Sequence, residues 1–106
     1  MFWINGKKWK IEFVESKSNC LKNSLGYYTV GVTDNNTKCI YLSNQLRGTF
    51  LRRVIAHELC HCFCFSYDIH MSLDEEERLA DWVSLYGTEL IYLLDDLLRI
   101  ILTEVA

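Results

Sequence analysis

The sequence predicts an α+β fold: a small antiparallel N-terminal sheet packed on one helix, followed by a second, long helix. Three observations carry this. Runs with period-2 alternation and turn signals occupy the N-terminal part, and runs with apolar residues three and four apart occupy the rest. The length of 106 residues leaves room for one core and not for two, so a single domain over 1–106 is expected.

Residues 8–14, Lys-Trp-Lys-Ile-Glu-Phe-Val, alternate polar and apolar and predict a strand with Trp9, Ile11 and Phe13 on its buried face. A polar loop around 17–24 leads to a second β-rich run, Tyr27 to Val32. Thr33-Asp34-Asn35-Asn36-Thr37 has turn chemistry, because Asp and Asn tolerate left-handed backbone and bond to it locally. Cys39-Ile40-Tyr41-Leu42 then returns as a third strand and closes a hairpin. Because it feeds directly into the first helix, this strand is the expected free edge of the sheet.

The spacing changes near residue 44. Ser43 or Asn44 can cap a first turn, after which Phe50, Leu51, Val54, Ile55, Leu59, Cys62 and Phe63 recur at helical spacing to about Ser66. Ser72-Leu73-Asp74-Glu75 is a capping box and starts a second helix near residue 73. Its expected inward residues are Leu79, Val83, Tyr86, Leu90, Leu93, Leu94 and Leu97, with Gly87 as a kink or close-packing point. Leu97 to Val105 is apolar on most faces. It is expected to pack within the monomer, with a homo-oligomer through the C-terminal helix as the other way to cover it. Asp95, Asp96 and Arg99 interrupt the most apolar stretch, Leu90 to Leu102, so no membrane span is expected.

Composition narrows the partners. Half the residues are hydrophobic and the net charge is −3, with Lys7, Lys8 and Lys10 the only basic cluster, so no direct nucleic-acid binding is expected. The five cysteines are an odd number, and Met1 to Lys7 has neither a basic start nor a long apolar run. Reduced thiols and a cytoplasmic location are the expectation. On a helix, neighbours within Cys60-His61-Cys62-Phe63-Cys64 face different ways, so these cysteines read as small core residues rather than sulfur ligands.

The most specific signal is His57-Glu58-Leu59-Cys60-His61, an H-E-x-x-H motif inside the first predicted helix. Residues 57 and 61 lie one turn apart on one face, where two imidazoles can reach one Zn²⁺. Glu58 sits beside the metal position and can act as general base toward an attacking water. A core helix could carry such residues by chance, but the whole chain has three histidines and two of them stand at this offset around a glutamate.

A third ligand is then needed. His70 does not fit the extended H-E-x-x-H-x-x-G-x-x-H spacing, which would need glycine at Cys64 and histidine at Tyr67. Acids at the start of the second helix are expected from its dipole alone, which accounts for Glu75 and Glu76. Glu77 is distinctive because Asp81 follows four residues later on the same face, so one carboxylate can bind zinc while the other accepts the free N–H of a ligating histidine. Glu77 is the preferred ligand and Glu76 the next.

With H-E-x-x-H followed by Glu77-Arg78-Leu79-Ala80-Asp81, or E-x-x-A-D, the chain resembles the gluzincin metallopeptidases, and more narrowly the minimal domain of the ImmA/IrrE family. The resemblance implies a zincin-like fold and a Zn²⁺ cofactor held by His57, His61 and Glu77, with Glu58 as base and Asp81 orienting a histidine. It also implies a bacterial, phage or mobile-element protein that cleaves a cytoplasmic protein, a transcriptional repressor being the candidate. Cys60 stands where the family usually has glycine, and Trp82-Val83-Ser84 where phenylalanine and alanine are common. Tyr27, Tyr28, Tyr67 and His70 are candidate oxyanion donors, none assigned. Two other functions fit the motif. One is a non-catalytic zinc-binding module using its apolar C-terminal helix; the other is a hydrolase of small amides or esters, which a closed pocket would indicate.

Overall fold

The computed structural model describes residues 1–105, with side chains as far as Glu104. Strand β1 (Phe2–Ile4) and β2 (Lys7–Val14) are followed by a short 3₁₀ turn (Asn19–Leu21), β3 (Gly31–Asp34), β4 (Cys39–Ser43), α1 (Gly48–Ser66) and α2 (Leu73–Val105). The architecture is α+β, with one four-stranded sheet in the order β1-β2-β4-β3.

The sheet is mixed, not antiparallel as the sequence suggested. Two antiparallel hairpins, β1–β2 and β3–β4, join through a parallel pairing of β2 with β4 that sets Ile11 beside Ile40 and Phe13 beside Leu42. Parallel neighbours need a connection of a dozen residues or more, and the chain from Val14 to Cys39 supplies it, carrying β3 to the far side on the way. The first hairpin has a local cause that the sequence reading passed over. Asn5-Gly6 is a two-residue turn pair, and both residues take positive φ, 48° and 76°.

β4 is therefore an interior strand, and the expectation that 39–42 forms the free edge is overturned; the edge next to α1 is β3. The core holds Ile4, Trp9, Ile40, Leu42, Leu46, Val54 and Cys62. Trp9 is fully buried, as expected, but Ile11 and Phe13 on the same strand are 37% and 54% exposed. Alternation places all three on one face; α1 covers only the Trp9 end of it.

Helix α1 ends at Ser66 as the spacing predicts, but it is not capped by Ser43 or Asn44. Ser43 Oγ accepts the Gln45 N–H in a preceding turn, and the N-cap is Arg47, which lacks a side-chain cap bond. At its other end α1 is tied to the first hairpin: Trp9 Nε1 donates to the buried Ser66 Oγ at 2.8 Å, and Asn5 Nδ2 to the Ser66 carbonyl at 3.0 Å. Close to β3 the packing is tight. A Cβ on Gly31 would lie 2.8 Å from a Val54 methyl, so glycine is what lets strand and helix approach.

Helix α2 begins as the capping box requires, with Ser72 Oγ accepting the Glu75 N–H at 3.2 Å and Asp74, Glu75 and Glu76 in its first turn. It runs antiparallel to α1. Its expected inward stripe is a correction: among the described residues Ala80 is the one buried residue of α2, while Leu79, Tyr86, Leu90, Leu93, Leu94 and Leu97 are exposed and Val83 is half-buried. The segment from Leu97 onward does not pack across the domain either. Gly87 is not a close-packing point between elements: a Cβ there would meet only Val83 of the same helix, at 3.4 Å. No helix of the described residues is long and apolar enough to cross a membrane.

Candidate metal centre

Helical spacing stacks His57 and His61 on the side of α1 that meets α2, and α2 answers with a carboxylate at each turn. Glu77 Oε2 lies 3.1 Å from His57 Nε2, and Glu77 Oε1 lies 3.0 Å from His61 Nε2. The two Nε2 atoms are 3.3 Å apart. Behind the rings, His57 Nδ1 lies 2.9 Å from Asp81 Oδ1, and His61 Nδ1 is hydrogen-bonded to Glu76 Oε2 at 2.7 Å.

A ring whose Nδ1 carries the proton presents Nε2 as an acceptor. In that tautomer both Nε2 lone pairs and the Glu77 carboxylate converge on one point, which suits a cation. The donor atoms of His57, His61 and Glu77 lie within 4.8 Å of one another. Two nitrogens on tetrahedral zinc at about 2.0–2.1 Å would be roughly 3.3–3.4 Å apart; the Nε2 atoms stand at 3.3 Å. The donor set fits a small divalent metal with nitrogen and oxygen ligands.

Glu58 sits behind this cluster on α1 with 7% exposure, its Oε2 4.0 Å from His57 Nε2. The Thr33 hydroxyl, on β3, donates to Glu58 Oε1 at 2.8 Å and also stands 3.1 Å from the Glu58 carbonyl. Burial pushes the Glu58 carboxyl above the usual glutamate range, while the Thr33 hydroxyl and the two histidines pull it back. Thr33 was absent from the sequence-derived site. It belonged there to a turn, and its contact with Glu58 spans 25 positions of chain.

The other sequence candidates fall as follows. Glu76, the second choice as ligand, stands behind His61 instead. Glu75 is exposed in the capping box. His70 is exposed in the loop between the helices, and none of Tyr27, Tyr28, Tyr67 and His70 lines the cleft at the metal cluster. The cysteines stay out of the cluster and are all free thiols. Burial pushes Cys62 up to about 12 and Cys64 up to about 11, which keeps them protonated and poor ligands.

An open cleft of about 760 Å³ runs past these residues, bounded by β3 on one side and α2 on the other. Leu25, Val30, Phe50, Leu73 and Leu85 give it apolar walls, and Arg53 adds a positive charge. The IrrE N-terminal-like domain, a peptidase family, matches residues 15–91, most of the chain and all of the residues named in the cluster. No curated protein and no solved structure matches.

Proposed function

The chain belongs to the IrrE N-terminal-like peptidase family, and from that premise we propose that it is a zinc metallopeptidase of the gluzincin type, a single zincin-like domain that cleaves an extended segment of another protein. The observation that carries this reading is the convergence of His57 Nε2, His61 Nε2 and the Glu77 carboxylate within hydrogen-bond range of one another. In this reading His57, His61 and Glu77 hold the metal.

When bound, Zn²⁺ would supply a Lewis acid that acidifies water and polarises the scissile carbonyl. Glu58 takes the proton of the attacking water and returns it to the leaving amine. Thr33 fixes one carboxylate oxygen of Glu58 and leaves the other, Oε2, facing the histidines. Asp81 and Glu76 hold the rings in the tautomer that turns both Nε2 atoms inward. The free edge of β3 offers backbone groups to a substrate strand, so binding demands an extended chain more than a particular sequence. An open cleft suits such a chain better than a small amide or ester. By family resemblance the substrate is a cytoplasmic transcriptional repressor cut in its flexible linker.

The test pairs the wild type with Glu58→Gln, both loaded with zinc, on repressors encoded near the protein's own gene, with new termini read by mass spectrometry. Cleavage by the wild type alone supports the reading. Equal cleavage by both removes Glu58 as the base. Retained zinc with no cleavage of any candidate favours a non-catalytic zinc module.

A further inference from the structure

Helix α2 carries an apolar stripe that its own domain leaves bare. Leu79, Val83, Tyr86, Leu90, Leu93 and Leu97 follow a strict alternation of four and three residues, and Ile100 continues it. This is the spacing of a helix that pairs with another helix along a seam, sustained here over three heptads. The side facing α1 is a different one, formed by Glu77, Ala80, Asp81, Ser84 and Thr88. At about 100° per residue the stripe lies on the opposite side. From Tyr86 to Ile100 its residues are 48–57% exposed, while Leu79 is 39% exposed and Val83 half-buried.

The length of α2 adds to this. The outermost bond between the helices is Arg52 Nη2 to Thr88 Oγ1, and α1 begins four residues before Arg52. Antiparallel packing therefore leaves α2 alone from about residue 92, some 20 Å of helix at 1.5 Å per residue. The family match also ends at residue 91. The chain exposes 7666 Å². A compact chain of 12.5 kDa would expose roughly 6,200 Å². The excess, about 1,500 Å², is more than the roughly 800 Å² per partner that a stable interface needs.

We propose that α2 pairs with α2 of a second copy of this chain, in parallel and in register along the Leu79–Ile100 stripe. A two-fold pairing of identical helices covers both stripes at once without displacing α1. The polar flank selects the occupant and its direction. Glu89 and Asp96 lie along one flank of the stripe, which repels an anionic bilayer. An antiparallel pair would set the Glu89 and Asp96 flanks against each other. A parallel pair sets them beside the apolar Leu94 and Ile101 of the second copy.

The test is the mass of the zinc-loaded chain by sedimentation equilibrium at about 5–100 µM, a range covering ordinary dimer affinities. Twice the chain mass of 12.5 kDa is expected for the wild type, and the single-chain mass for Leu90→Glu/Leu97→Glu. The double variant should keep its zinc and its helical circular dichroism, because neither side chain touches the domain. With Cys20→Ser as background, Leu90→Cys should form an interchain disulfide on mild oxidation, since parallel pairing brings like positions together. A wild type that stays monomeric overturns the proposal, and so does a double variant that still self-associates. Flotation of a monomeric wild type with phosphatidylcholine–phosphatidylglycerol vesicles would give the stripe to a membrane instead. Absence of the Leu90→Cys disulfide in a dimer would overturn the parallel register.

Discussion

Glu76 and His61 form the most enclosed hydrogen-bonded pair of the candidate metal centre, with Oε2 2.7 Å from Nδ1 and side-chain exposures of 16% and 9%. The matching pair behind the other ring, Asp81 with His57, is open to solvent at 69% on the carboxylate side. The two outer carboxylates therefore play the same geometric part in very different surroundings.

Removing the enclosed partner should do more damage. Glu76→Ala is expected to lower zinc affinity about 10–100-fold, and Asp81→Ala by less, because water can replace an exposed acceptor. Glu77→Ala should abolish tight binding and Glu75→Ala should leave it unchanged. Competition with a chromophoric chelator measures all four. A larger loss for Asp81→Ala than for Glu76→Ala would show that enclosure does not govern the support of the rings.

Burial of Glu58 predicts a stability change with a definite pH dependence. Its folded-state affinity for protons is raised by desolvation, so the unfolded chain releases this proton first and stability falls as pH rises from the ordinary value of 4.5 through the raised one. The amide introduced by Glu58→Gln does not titrate. The metal-free variant should therefore melt above the metal-free wild type at pH 7, and the difference should close toward pH 4. Equal melting temperatures at pH 7 would mean the buried carboxylate carries no penalty.

Gly31 packs tightly against α1. Gly31→Ala places a methyl 2.8 Å from the buried Val54 side chain and should cost about 1–3 kcal/mol through overpacking. Gly31→Ala with Val54→Ala should recover part of the loss. Urea unfolding of the three variants checks it, and additive losses would deny the contact.

The thiols should separate by burial. Cys20 is exposed while Cys39, Cys62 and Cys64 are buried, and a thiol raised to about 12 is almost wholly protonated at pH 8. One fast-reacting cysteine in the native, reduced protein and five after denaturation are expected from alkylation followed by mass spectrometry. Fast labelling of Cys62 would place it at the surface.

The sequence made the metal centre more legible than the sheet. His57, His61, Glu77 and Asp81 sit on two helices, where an offset of four residues already means a shared face. Thr33 was hidden because a strand residue shows which face it occupies but not which helix crosses it. For the same reason period-2 alternation in 8–14 located β2 but not its parallel neighbour, and it overstated the cover over Ile11 and Phe13. The stripe on α2 was read at the correct positions and given to the wrong surface. Periodicity says that a face needs a cover, and only the fold says whether the cover lies in the same chain.

The bond from Trp9 to Ser66 has a consequence for the rotation of α1 about its own axis. Each residue of an α-helix turns the next by about 100°, so holding Ser66 against the β1–β2 hairpin sets the azimuth of every side chain upstream, His57 and His61 included. Slippage by a single residue would swing both imidazoles away from α2. That hairpin precedes the segment matched by the family, which begins at residue 15. The angular reference for the histidines is therefore supplied from outside the matched segment, by a tryptophan that holds the C-terminal end of α1.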